Sequence, residues 1–106
     1  MEKVEIGLPE LSDEQIVELA ELGERVAREY VLSKLPAKKV YDLDVSVQIE
    51  GERPLTVTVD VGVRLASSAR VDPEELAREA AKKAMEAIEA RLRELALAGR
   101  GAQEAG

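Results

Sequence analysis

The chain has 106 residues, a formal net charge of −7 and 35% charged residues. Such a balance excludes a stand-alone nucleic-acid binder or an anionic membrane surface as the leading expectation, because either partner calls for basic surface. With no His and no Cys, nucleophile–base constellations and the usual zinc sites are also ruled out.

The length fits one domain with a modest core. No apolar run approaches the roughly 20 residues of a membrane span, and no basic-then-apolar leader opens the chain, so a cytoplasmic protein is expected. Trp, Phe and Asn are missing, Gln is rare, and Glu and Arg are abundant. Proteins that work hot share this composition, with charge networks replacing thermolabile side chains.

In chain order, Val4, Ile6 and Leu8 alternate with Lys3, Glu5 and Gly7. The alternation predicts a first strand over residues 2–8, stopped by Pro9. Ser12-Asp13-Glu14-Gln15 then fits a capping box, in which Ser12 accepts from a first-turn amide and Gln15 reaches back. In the helix it opens, Ile16, Ala20, Gly23, Ala27, Tyr30 and Val31 share one stripe. On the outer face Glu21 precedes Arg25, and Glu24 precedes Arg28, at the favourable spacing of four. Pro36 stops the helix.

Residues 40–65 read as a long hairpin. Tyr41, Leu43, Val45, Val47 and Ile49 are apolar, and Asp42, Asp44, Ser46, Gln48 and Glu50 between them are polar. Past the turn Gly51-Glu52-Arg53-Pro54, every odd position from Leu55 to Leu65 is apolar. A period of two gives a sheet dry on one side and wet on the other, with a tightly fixed register. Each apolar side chain buried there contributes roughly 1.5–3 kcal/mol.

Residues 66–70 form a loop of small residues ending in Arg70. Asp72-Pro73-Glu74-Glu75 announces the second helix: an N-cap aspartate, proline at the first helical position, and acids at the positive helix end. Ala77, Ala80, Ala81 and Ala84 make one face thin, which suits close approach by another backbone. Glu74 with Arg78, Glu79 with Lys83, and Glu89 with Arg93 are the expected ion pairs. Gly99 is expected to end the helix, leaving a disordered tail over residues 98–106.

The expected fold class is α+β: a three-stranded antiparallel sheet (strand–helix–strand–strand–helix) with both helices on one face, in a single domain over residues 1–97. Its two sheet edges invite a partner.

No catalytic, cofactor-binding or metal site is expected. Asp42, Asp44 and Asp60 share the wet face but lack the convergent shell that a hard cation needs. Ser67 and Ser68 have no base nearby in sequence. Tyr30 and Tyr41 are too few for a base-stacking platform. Lys34, Lys38, Lys39, Arg25 and Arg28 are expected as a solvated basic spot at the end of the first helix.

With this layout and the stretch Ser67-Ser68-Ala69-Arg70, the chain resembles the small dimerising subunit of the KEOPS complex. That complex takes part in threonylcarbamoyladenosine modification of tRNA in archaea and eukaryotes. The stretch is similar to the Ser-Ser-Ala-Leu-Arg that leads the family's last helix, without the leucine. The family's asparagine-serine and leucine-arginine pattern in that helix is replaced here by Glu75-Leu76-Ala77-Arg78-Glu79-Ala80. The chain also resembles an archaeal family of uncharacterised small proteins encoded near prefoldin and KEOPS subunits.

The resemblance implies a divergent paralogue, a non-catalytic assembly or regulatory subunit that dimerises with the related small subunit. Ser67, Ser68, Ala69 and Arg70 are the partner contacts it implies, and tRNA is met only through the complex. The alternative is a homodimeric structural or chaperone-associated protein linked to prefoldin. A small RNA-binding module is disfavoured by charge.

Overall fold

The computed structural model describes residues 2–6, 11–51 and 55–105, with side chains over residues 11–51 and 55–96. The elements are β1 (Glu2–Ile6), α1 (Asp13–Lys34), β2 (Val40–Glu50), β3 (Leu55–Leu65) and α2 (Pro73–Ala105). Short 3-10 turns at Ala37–Lys39 and Ser67–Ala69 lead into β2 and follow β3. The glutamate, arginine and proline of the expected hairpin turn, Glu52, Arg53 and Pro54, lie outside the described residues.

Helix α1 starts where its chemistry directs. The Ser12 hydroxyl accepts from the Gln15 amide at 3.1 Å, and the Gln15 side chain accepts from the Ser12 amide at 2.9 Å. This reciprocal pair satisfies two amides that have no partner inside the helix. Asp72 caps α2 through its carboxylate, which accepts from the Glu74 amide at 3.0 Å.

The expected three-stranded sheet is corrected in extent: three strands lie side by side only where β1 flanks β3. Its body is a two-stranded antiparallel sheet, β2 against β3, each strand eleven residues long. The five-residue β1 meets β3 only from Glu2↔Val59 to Ile6↔Leu55, so beyond Val59 the sheet consists of β2 and β3 alone. The reason is length: β1 covers less than half of its neighbour. Gly7, Leu8 and Pro9, expected to finish and stop that strand, lie outside the described residues.

Tyr41 is also corrected. Val40 pairs with Leu65 and Asp42 with Arg64, so Tyr41 is the extra residue of a bulge. A bulge adds one residue to one strand and re-aims its side chain. Tyr41 is 67% exposed, and Val40 packs against the core instead.

Both helices cover the apolar sheet face, α1 over β2 and α2 over β3. The core unites Leu19, Ala27 and Val31 of α1 with Leu55, Val57 and Val59 of β3. Leu76, Ala80, Ala84, Met85, Ile88 and Leu92 of α2 complete it. Alanine and glycine at the helix contact allow the backbones to approach, as the thin face of α2 implies.

Helix α2 extends to Ala105, beyond the Gly99 expected to end it and through the expected tail. Glycine inside a helix costs only about 1 kcal/mol relative to alanine, so Gly99 alone does not force a stop. No helix among the described residues is long and apolar enough to cross a membrane.

Candidate functional site

Among the described elements, the outer edge of β2 is a full-length open strand edge. In the order β1-β3-β2, β2 has a neighbour on one side only. A strand in that position leaves backbone N–H and C=O groups free for another chain. No proline interrupts its eleven residues.

Where β1 flanks β3, burial falls towards this edge; further along, Val61, Val63 and Leu65 of β3 are half-buried like their neighbours on β2. Leu55, Val57 and Val59 of β3 are at most 4% exposed. Leu43, Val45, Val47 and Ile49 of β2 lie on the same apolar side but are only half-buried. An added strand would finish their burial. The wet side of β2 carries Asp42, Asp44 and Glu50, all exposed.

Asp42, Asp44 and Asp60 do share that wet side, but the register spreads them. Asp42 faces Arg64, Asp44 faces Gly62, and Asp60 faces Ser46. Among the described residues no group of three or more His, Cys, Asp or Glu is placed to hold a metal ion.

Ser67, Ser68 and Ala69 form a single 3-10 turn closed by the Ala69 amide donating to the Ala66 carbonyl at 2.9 Å. Ser68 Oγ accepts from Lys39 Nζ at 2.6 Å, and the Ala66 amide donates to the Lys39 carbonyl at 2.9 Å. The turn is thereby joined to the entry of β2. Ala69 packs on the core, whereas Ser67, Ser68 and Arg70 are exposed or nearly so. Arg70 has φ 57° and ψ 33°, left-handed geometry that non-glycine residues adopt uncommonly.

The expected basic spot divides. Arg28 pairs with Glu24 at 3.1 Å, and both border a shallow surface with Glu21 and Arg25. Lys34, by contrast, lies 5.2 Å from the centroid of the Tyr30 ring, within cation–π range. Lys38 and Lys39 sit in the turn beyond it. Arg70, expected as a partner contact, follows the turn that Ser68 ties to Lys39, and Arg64, on the wet side of β3, is not part of the expected spot. Their signal is the alternation of β3 together with the Lys39–Ser68 contact, and only the first is visible in sequence.

Tyr30 also ties the helices together, its hydroxyl donating to Glu79 Oε2 at 2.5 Å. That hydrogen bond, then desolvation, then the charges of Glu79 and Glu75 hold the phenol above its ordinary value. Glu79 is thus used by Tyr30, and Lys83 sits 3.9 Å from Glu86, not on its expected partner. Of the expected helix pairs, Glu24–Arg28 and Glu89–Arg93 form, the latter at 3.8 Å. At the far end of the helix pair, Arg91 of α2 donates to Glu18 of α1 and to Glu94, each at 2.9 Å.

The family described as "protein of unknown function (DUF3194)" matches residues 8–91. The chain belongs to the DUF3194 family. An uncharacterised protein of Thermococcus kodakarensis is 40% identical over 96 residues, covering 91% of this chain and 89% of that protein. An uncharacterised protein of Pyrococcus horikoshii is 37% identical over 93 residues, with 88% and 80% covered. The family therefore has members in archaeal thermophiles, in keeping with the Glu- and Arg-rich composition.

A crystal structure from Thermococcus onnurineus is similar at 36% identity and TM-score 0.73, covering 90% of this chain and 92% of that one. The solution structure of a hypothetical protein from Methanothermobacter thermautotrophicus shares the fold, with TM-score 0.70 and 23% identity, covering 83% and 96%.

Proposed function

We propose that this DUF3194 protein is a non-catalytic, cytoplasmic assembly subunit that works by adding its β2 edge to the sheet of a partner of related fold. One observation carries the reading: β2 is a long, proline-free edge strand whose apolar side chains are half-buried, including Val47 and Ile49, whose partners Val59 and Val57 on β3 are fully buried. Strand addition supplies main-chain hydrogen bonds for affinity and alternate side chains for specificity. It would also remove the hazard of an open edge.

The sequence resemblance supports the KEOPS small subunit as that partner. In this reading the chain tunes the assembly of the tRNA-modifying complex and meets tRNA only through it. Light scattering of the pure protein, then of an equimolar mixture with the KEOPS small subunit, tests this. A one-to-one pair in the mixture is the expected result. A concentration-independent monomer in both samples overturns edge pairing altogether. A homodimer that ignores the added subunit keeps edge pairing and removes KEOPS in favour of a self-paired, prefoldin-linked role.

A further inference from the structure

Two chain stretches without a single carboxylate, residues 30–41 and 61–71, meet at one end of the molecule. They are joined by the Val40↔Leu65 pairing, the Ala66-to-Lys39 backbone hydrogen bond and the Lys39–Ser68 contact. The two stretches carry Lys34, Lys38, Lys39, Arg64 and Arg70, with Lys34 on the helix side over Tyr30 and Arg64 on the wet side opposite Asp42. In a chain of net charge −7, everything outside these stretches is correspondingly more acidic.

The same stretches hold exposed apolar surface. Leu32 is 43% exposed, Tyr41 67% and Val71 38%. Among the described residues, Val17 is the one other large apolar side chain exposed to this degree. Acids border the end without neutralising it. Asp72 is committed to capping α2, and Glu79 accepts from Tyr30. Asp42 faces Arg64 across the sheet, but among the described residues Lys38, Arg64 and Arg70 make no ion pair.

We infer that this end is a docking surface for an acidic protein segment that carries apolar side chains. Charge complementarity selects the acidic character, and the net acidity of the remainder of the chain disfavours such a segment elsewhere. The apolar character follows from Leu32, Tyr41 and Val71, because exposed apolar groups contribute nothing to a phosphate backbone but supply the dry centre of a protein interface. Arginine and tyrosine are also the side chains that protein interfaces favour. The surface does not depend on strand pairing along β2, so it serves whether that edge is occupied or free.

The test uses a fluorescently labelled synthetic peptide rich in glutamate with interspersed leucines. Its partners are the full chain and the variants Lys38→Glu, Arg70→Glu and Val71→Ser, all at exposed positions, with folding checked by circular dichroism. Binding to the full chain should weaken as salt rises and fall about tenfold in each charge reversal. Val71→Ser, or a peptide with serine for leucine, should weaken it without changing the salt slope. No binding, or binding indifferent to these substitutions, overturns the inference. Tighter binding of a tRNA transcript than of the peptide, abolished by the same charge reversals, would replace the protein segment by a nucleic acid. Loss of edge pairing in light scattering with peptide binding intact would fell the function proposed above and leave this surface standing.

Discussion

Gly23 of α1 lies directly against Ile88 of α2: a Cβ added at Gly23 would stand 2.7 Å from Ile88 Cδ1 and 3.1 Å from Val47 Cγ2. Glycine is there for closeness, where helix α1 meets both α2 and the sheet. Ile88 is fully buried, so its methyl has little room to retreat. Gly23→Ala gains about 1 kcal/mol in helix propensity but overpacks the core, which typically costs about 1–3 kcal/mol. The net expectation is destabilisation. Ile88→Val removes the colliding methyl and alone costs about 0.5–1.5 kcal/mol. In the Gly23→Ala background it should instead restore stability. Urea melts of the four proteins read this coupling, and additive losses would refute the close-packing account.

The register of the hairpin separates neighbouring positions on β3. Val57 is fully buried, and Thr58 beside it faces the other way and is half-exposed. Val57→Asp buries an unpaired carboxylate at a cost of several kcal/mol, comparable with the whole stability of such a domain. Thr58→Asp should remain folded with a modest shift. At the edge, Val47→Asp should fall between them, because Val47 is only half-buried. Thermal melts by circular dichroism should rank the three in that order, and equal tolerance at Val57 and Thr58 would refute the register.

Tyr30 and Glu79 make stability depend on pH at the alkaline end. The phenol is the donor, so its protonated form is favoured in the folded chain and its pKa is raised. For a raised pKa the contribution is fully present below the unfolded value of about 10 and is lost as pH rises through the folded value. Tyr30→Phe should therefore be less stable than the parent at neutral pH, with the difference fading above pH about 10. Ultraviolet titration in a Tyr41→Phe background, where a single phenol absorbs, should show Tyr30 ionising late. Ionisation at the ordinary pH would sever the link.

Much of this architecture is legible in residues. The capping box at Ser12 and Gln15, the cap at Asp72 and the alternation of β3 are local codes, and each appears where its chemistry places it. Tyr41 is not legible, because an apolar residue in alternating register reads as inward. Only the doublet Val40-Tyr41 betrays the bulge, with Val40 taking the inner place. The extent of the sheet is hidden for a related reason: alternation shows that residues 2–6 are extended but not how far they run beside β3. The cationic end was half-visible. Lys34, Lys38 and Lys39 are close in sequence, but Arg64 and Arg70 join them only through β2–β3 pairing and the Lys39–Ser68 contact. Long-range juxtaposition of this kind has no sequence period.

Arg91 and Leu92 are neighbours in α2 whose removal should act very differently. Arg91 links the helices through Glu18 and reaches Glu94, yet all three side chains keep substantial contact with water. Exposed ion pairs of this type add little at ordinary temperature and are screened by salt. Leu92 is 1% exposed and packs in the core. Leu92→Ala should cost about 2–5 kcal/mol through lost transfer energy and a cavity. Arg91→Ala should cause a small loss that shrinks further as salt is added. At high temperature the ranking should narrow, because the desolvation penalty of charged groups falls on heating and paired charges gain in relative value. Melting both variants at low and high salt separates the two contributions. An Arg91→Ala loss as large as that of Leu92→Ala and unmoved by salt would mean that the clamp, not the core beneath it, holds this end of the helix pair.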